Sequence, residues 1–209
     1  MRHAKALSRD EHIFADDSKR PLSKAGIKEH KMVSKMLRKM GVCFDHILSS
    51  PYDRALETAQ ITKKVFEYDD RPVECKELSD DFSVDDVLKL VASYGPEETL
   101  LLVGHEPYMS TLASALLWPG HPMGVDFKKS AIMSIRFEEV PEKGQGILEF
   151  FLRPKLLKTL HKHRRGDSVP GPKIKKGGMI EGAIMKEPAK GGKKYDKKAP
   201  KKDDEDDDD

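Results

Sequence analysis

The 209-residue chain has two cysteines, one tryptophan, 7% aromatic residues and no long apolar run. Cys43 and Cys75 sit in unrelated contexts with no C-x-x-C spacing, which argues against a disulfide framework or a cysteine zinc site. Two reduced, buried thiols are expected. The longest apolar stretch, residues 99–104, falls far short of the roughly 20 residues that cross a bilayer. The chain starts Met1-Arg2-His3, without a charged-then-apolar leader, so a soluble, cytoplasmic protein is expected. No metal-ligand spacing is present, and His161 and His163 stand apart from other ligand types.

What is abundant is charge, unevenly placed. The formal net charge of +2 conceals residues 1–152 with 21 Lys/Arg against 25 Asp/Glu, residues 153–202 with 17 against 4, and seven terminal residues that are all acidic. About 150 residues make one domain with a sizeable core, whereas a Lys-rich segment cannot bury enough apolar surface to offset its ordering entropy. The expected organisation is a folded domain over residues 1–155 and a disordered tail over 156–209, Lys-rich and ending in an Asp-rich run. Such a tail offers non-specific attraction to an acidic or anionic partner. With little aromatic interleaving beyond Tyr195, nucleic-acid recognition is not expected of it.

Within the first part, Ser23 followed by Ile27, Val33, Met36, Leu37 and Met40, with Gly41 behind, has a cap, an apolar stripe and a stop, and predicts a helix. His46–Ser49 reads as a short strand, and Ser50-Pro51 reads as the capped start of a helix running through Val65. An extended piece at 72–75, a helix from Ser83, a strand at 99–103, a helix over 108–117 and strands at 131–137 and 147–152 complete the pattern. The run Leu100-Leu101-Leu102-Val103, apolar on both faces, suits a central strand of a covered sheet. Alternating strands and helices predict a three-layer α/β/α sandwich with a mostly parallel central sheet, whose ligands bind beyond the carboxyl ends of the strands.

Three segments place charged or imidazole side chains at such ends: Arg2-His3, Ser49-Ser50-Pro51-Tyr52-Asp53-Arg54 and Gly104-His105-Glu106-Pro107. Each alone has a bland structural explanation. If the three strands are parallel neighbours, two guanidinium groups and two imidazoles converge, an arrangement costly without an anion among them. Phosphate fits planar, bidentate arginine donors.

These motifs, together with Arg20-Pro21-Leu22-Ser23-Lys24-Ala25-Gly26, the run Arg54-Ala55-Leu56-Glu57-Thr58-Ala59, Glu77-Leu78 and Ser130-Ala131-Ile132, resemble the histidine phosphatase superfamily in order and spacing. The likeness is greatest to its SixA-type phosphohistidine phosphatase branch and covers residues 1 to about 155. The resemblance implies that His3 is the nucleophile and that Arg2, Arg54 and His105 surround the phosphoryl oxygens, whose charge the arginines and a protonated His105 are expected to stabilise. It implies no cofactor. Ser50 and the helix amides after it are candidate phosphate contacts. Arg20 is a candidate substrate contact, with an exposed loop arginine as the alternative. Glu57, three residues after Arg54, is placed to orient its guanidinium, with an ordinary surface pair as the alternative. Glu77 is a candidate support for a histidine or arginine.

The implied activity is hydrolysis of phosphohistidine on a protein through a phospho-His3 intermediate. A small-molecule phosphomonoesterase and a non-catalytic phosphate-binding module are the alternatives. Relatives that act on alkoxide leaving groups use a carboxylic acid as proton donor. Asp80 and Asp81 lie near where that acid belongs, with helix-flanking surface residues as the alternative. The Arg-His pair of the family also ends a central strand, whereas only Met1 precedes it here. A truncated first strand is therefore expected.

Overall fold

A computed structural model describes residues 1–9, 12–79, 82–120, 124–164, 174–175 and 179–180. The first compact unit, Met1–Val169, contains α1 (Lys24–Lys39), β1 (His46–Ser49), α2 (Asp53–Phe66), β2 (Val73–Glu74), α3 (Val84–Ala92), β3 (Leu100–Val103), α4 (Tyr108–Leu117), β4 (Ile132–Arg136), β5 (Ile147–Leu152) and α5 (Pro154–Arg164). Strands β2, β1 and β3 pair in parallel in that order. Strands β4 and β5 form an antiparallel pair.

Residues 1–3 lie between these two sheets. Gly104 N–H donates to Met1 O, and His3 N–H to Gly104 O at 2.9 Å. On the other side Arg2 N–H donates to Ala131 O, while Ser130 N–H reaches both Arg2 O and His3 O at 3.2 Å. His3 is thereby fixed at the carboxyl end of β3.

Alternation along the strands sorts the core into two layers. Ile47, Leu101, Val103, Ile132 and Leu152 face one cluster with Val33, Leu37, Ala55 and Leu157. Leu48 and Ala131 face the other with Val87, Met109 and Leu112. Helices α1, α2 and α5 thus cover one face and α3 and α4 the other, the three-layer architecture that the sequence predicts.

The caps explain the element boundaries. The Ser23 side chain accepts from Gly26 N–H, and Ser83 forms a reciprocal capping box with Asp86. Gly26 also lets α1 approach the nucleophile segment, because a Cβ there would overlap the Lys5 carbonyl oxygen.

Several boundaries differ from expectation. Helix α2 starts at Asp53 with Tyr52 as an uncapped N-cap, because the Ser50 hydroxyl is engaged elsewhere. Cys43 is exposed in the loop after α1, whereas Cys75 is buried. Helix α5 extends the folded part beyond the expected boundary at residue 155. Its first residue is Pro154, and Leu157, with no exposed surface, packs in the core. The basic composition of that stretch hid the buried Pro154 and Leu157. In the second unit, Pro170–Asp209, the described residues are β6 (Ile174–Lys175) and β7 (Met179–Ile180), paired antiparallel. The rest of the tail expected to be disordered, residues 165–173, 176–178 and 181–209, lies outside the described residues, as do Asp80 and Asp81. Among the described residues no helix is long and apolar enough to cross a membrane.

Candidate active site

His3 is 5% exposed, and its Nδ1 lies 2.6 Å from Ala4 O. A carbonyl oxygen only accepts, so Nδ1 carries the hydrogen and Nε2 keeps its lone pair. Burial, aided by the charges of His105, Arg54 and Arg2, holds its pKa at about 2, against the pull of the Ala4 bond. The ring is therefore a neutral nucleophile near neutral pH.

His105 stands beside it, with ring centroids 5.1 Å apart. Its Nε2 lies 2.8 Å from Ser50 Oγ, which also accepts from Tyr52 N–H at 3.3 Å. The Tyr52 ring packs at 4.8 Å from the imidazole, and the Arg54 guanidinium sits over that same ring at 4.8 Å. His105 was expected to be protonated. Burial, then the charges of Arg54 and Arg2, instead lowers its pKa to about 3, so it is neutral until an anion arrives. His105 Nδ1 and Arg2 Nε are buried without a hydrogen-bond partner among the described residues.

The arginines differ in how they are held. Arg2 Nη1 donates to Phe127 O at 2.6 Å. Arg54, in the first turn of α2 and 5% exposed, donates from Nη1 to Asp17 O at 2.7 Å and pairs with the Asp17 carboxylate at 3.2 Å. Arg20 also goes to Asp17, at 2.8 Å from Nε, and to Leu7 O at 2.8 Å. The Arg20 bond, with the charges of Arg54, Arg20 and Arg9, lowers the Asp17 pKa and keeps it ionised. Arg20 thus ties the loop through Asp17 to the Arg54 head.

Glu57 does not orient Arg54. Its Oε2 accepts from Leu22 N–H at 2.9 Å and so fixes the segment after Arg20. Glu77 lies in a 3₁₀ turn, Lys76–Leu78, and makes no hydrogen bond or ion pair with the site histidines or arginines among the described residues. Ser50 N–H is spent on Val103 O. Its contribution to the site is the hydroxyl on His105.

A buried polar floor escaped the sequence reading. Ala4 N–H donates to Thr58 Oγ1, whose hydroxyl donates to Arg54 O at 2.6 Å. Thr62 donates in turn to Thr58 O at 3.1 Å. His30, with no exposed surface, places Nε2 at 2.9 Å from Thr62 Oγ1 and Nδ1 at 3.2 Å from Ser130 Oγ. Ser130 adopts a left-handed φ of 64°, which aims its amide at the Arg2 and His3 carbonyls. The available signal was positional, since His30 occupies the stripe shared by Val33, Ser34 and Leu37. Among the described residues no group of acidic, histidine or cysteine side chains is arranged to hold a metal ion.

Comparison with known proteins bears on this geometry. Residues 1–80 match the histidine phosphatase superfamily (branch 1). An uncharacterized protein of Picosynechococcus is 31% identical over 138 residues, which are 65% of this chain and 82% of that protein. The structure of the protein histidine phosphatase SixA complexed with tungstate superposes with a TM-score of 0.66 at 26% identity, covering 75% of this chain and 96% of that one. A putative phosphohistidine phosphatase SixA from Agrobacterium tumefaciens shares the fold at 24% identity and a TM-score of 0.61, covering 74% and 95%. With its paired imidazoles and arginines gathered at the strand ends, this chain belongs to the histidine phosphatase superfamily, among whose solved structures it is similar to SixA.

Proposed function

We propose that the chain is a phosphohistidine phosphatase, acting on a protein through a covalent phospho-His3 intermediate. Superfamily membership supports the coarser statement, a phosphatase hydrolase. The observation that carries the finer one is the state of His3: neutral, buried, its hydrogen committed to Ala4 O and its Nε2 lone pair kept beside His105.

Attack of Nε2 on phosphorus forms the P–N bond to His3 and breaks the bond to the leaving nitrogen. Nδ1–H stays on Ala4 O and shares the positive charge that the ring acquires. A substrate imidazole protonated on its second nitrogen leaves neutral, so no acid is needed to complete departure. Water then adds to phosphorus, the P–Nε2 bond returns its electron pair to His3, and phosphate departs with one water hydrogen while the other proton goes to solvent. Arg2, Arg54 and a His105 that gains a proton as the anion binds stabilise the equatorial oxygens.

An alkoxide leaving group requires a proton at departure, and the His105 proton gained on anion binding is committed here to the equatorial oxygens, while His3 rests neutral. The test is a comparison of kcat/KM on a phosphohistidine-bearing phosphotransfer protein, an aryl phosphate and a sugar phosphate. The proposal expects the phosphoprotein to lead by at least tenfold; equal or faster turnover of the sugar phosphate overturns it in favour of a small-molecule phosphomonoesterase.

A further inference from the structure

His30 takes part in none of the steps above, yet it is a histidine with no exposed surface in the middle of α1. Its hydrogen-bond partners fix its tautomer. The Thr62 hydroxyl donates to Thr58 O and the Thr58 hydroxyl to Arg54 O, so each hydrogen on that side is spent on a carbonyl. Nε2, 2.9 Å from Thr62 Oγ1, is then the donor, with Ser34 Oγ near the same nitrogen at 3.4 Å. Burial lowers the His30 pKa to about 4 and keeps the ring neutral near neutral pH, which leaves Nδ1 as an acceptor. The Ser130 hydroxyl, 3.2 Å away, donates to it.

The two arms of this ring are unequal. Thr58 and Thr62 have main-chain acceptors of their own and lie inside α2, whose helical backbone holds their positions without His30. Ser130 instead adopts a left-handed φ of 64°, a conformation costly for a residue with a Cβ. Among the described residues its hydroxyl is partnered by His30 Nδ1. From that conformation its N–H reaches Arg2 O and His3 O, both at 3.2 Å, and the next residue, Ala131, receives Arg2 N–H on its carbonyl at 3.0 Å. Relaxation of Ser130 toward an ordinary φ would re-aim that amide and leave a buried hydroxyl unpaired.

Resting on the phosphatase reading above, we infer that His30 is a positioning residue: its Nδ1 holds Ser130 in the left-handed conformation, and Ser130 in turn fixes the main chain that carries Arg2 and His3. The Thr62 arm anchors the ring itself. The effect falls on kcat more than on KM, because attack on phosphorus needs alignment while anion binding tolerates a small displacement.

Two variants separate the arms. His30→Asn puts an amide oxygen where Nδ1 stands and keeps the bond to Ser130, whereas His30→Gln puts an amide nitrogen where Nε2 stands and keeps the bond to Thr62. With a phosphohistidine-bearing phosphotransfer protein as substrate, His30→Gln should lower kcat about tenfold with KM within about twofold, and His30→Asn should stay within about threefold of wild type. Adding Ser130→Gly to His30→Gln should restore most of the lost kcat, because glycine holds a positive φ without support and has no hydroxyl to strand. In the substrate-free chain the Ser130 amide should exchange with solvent faster in His30→Gln than in His30→Asn or wild type.

Equal kcat in His30→Asn and His30→Gln overturns the inference, as does a loss in His30→Gln that Ser130→Gly fails to recover. Loss of folding in both single variants does the same, since it leaves the ring a structural role alone. Absence of hydrolysis by wild type refutes the phosphatase reading instead. The Ser130 exchange rates then test the clamp by themselves: faster exchange in His30→Gln than in His30→Asn supports it, and equal rates refute it.

Discussion

Beneath His3 lie His30, Thr58, Thr62 and Ser130, none with exposed surface and each hydrogen bonded to another of the set or to the main chain around the nucleophile. At the mouth stand Arg2, Arg20 and Arg54, with Asp17 pairing to the last two. The floor is satisfied without a ligand and fixes one shape, because breaking it strands buried polar atoms. The mouth gathers guanidinium groups and is completed by what it binds. Stability should therefore depend on the floor, and rate and selectivity on the mouth.

Arg54→Ala is the strongest test on the mouth side. Loss of one transition-state donor should lower kcat/KM on a phosphohistidine substrate by about 10²–10³ while the urea midpoint stays nearly constant. A large fall in the midpoint would erase the distinction. On the floor side, His30→Leu keeps bulk but strands Thr62 and Ser130. It should cost about 1–3 kcal/mol in urea unfolding and lower kcat by roughly tenfold with little change in KM, since Ser130 then sets Arg2 and His3 less firmly.

The pH dependence separates the layers further. His3, His105 and His30 are held at about 2, 3 and 4 in the folded chain against an ordinary value of 6.5. Between roughly pH 6.5 and 4 the unfolded chain therefore binds more protons, and stability falls as pH is lowered through that window. Near pH 5 unfolding should take up about one proton fewer in His30→Leu than in wild type, read from the slope of unfolding free energy against pH. An unchanged slope would show that His30 is not held neutral. The smallest effect belongs to Asp17→Asn. Its carboxylate is partly exposed, so stability should change by less than about 1 kcal/mol, while loosening Arg54 should lower kcat/KM about fivefold.

The contrast also explains what the sequence disclosed. Arg2, His3, Arg54 and His105 stand at strand ends or in the first turn of a helix, where the local pattern predicts convergence once the three strands are taken as parallel neighbours. Glu57 was legible as a polar residue on the right face, but its partner was not, because Leu22 arrives from another segment 35 positions away. Asp17 drew no attention beside Arg20, although it joins two arginines once the loop folds back. Ser50 has the identity of a helix cap, yet its hydroxyl serves His105 and the helix begins later. Helix α5 was hidden for the opposite reason: average composition was weighed over a basic stretch in which Pro154 and Leu157 are buried.

The central claim is that His3 accepts the phosphoryl group, and rapid quenching into alkali during turnover of a labelled phosphohistidine protein tests it most directly. The account predicts an acid-labile, base-stable phosphate on the peptide containing His3 in wild type, its absence in His3→Ala, and a fall in kcat of about 10⁴-fold or more in that variant. Phosphate release by wild type with no label on His3, or a label on another residue, would contradict it.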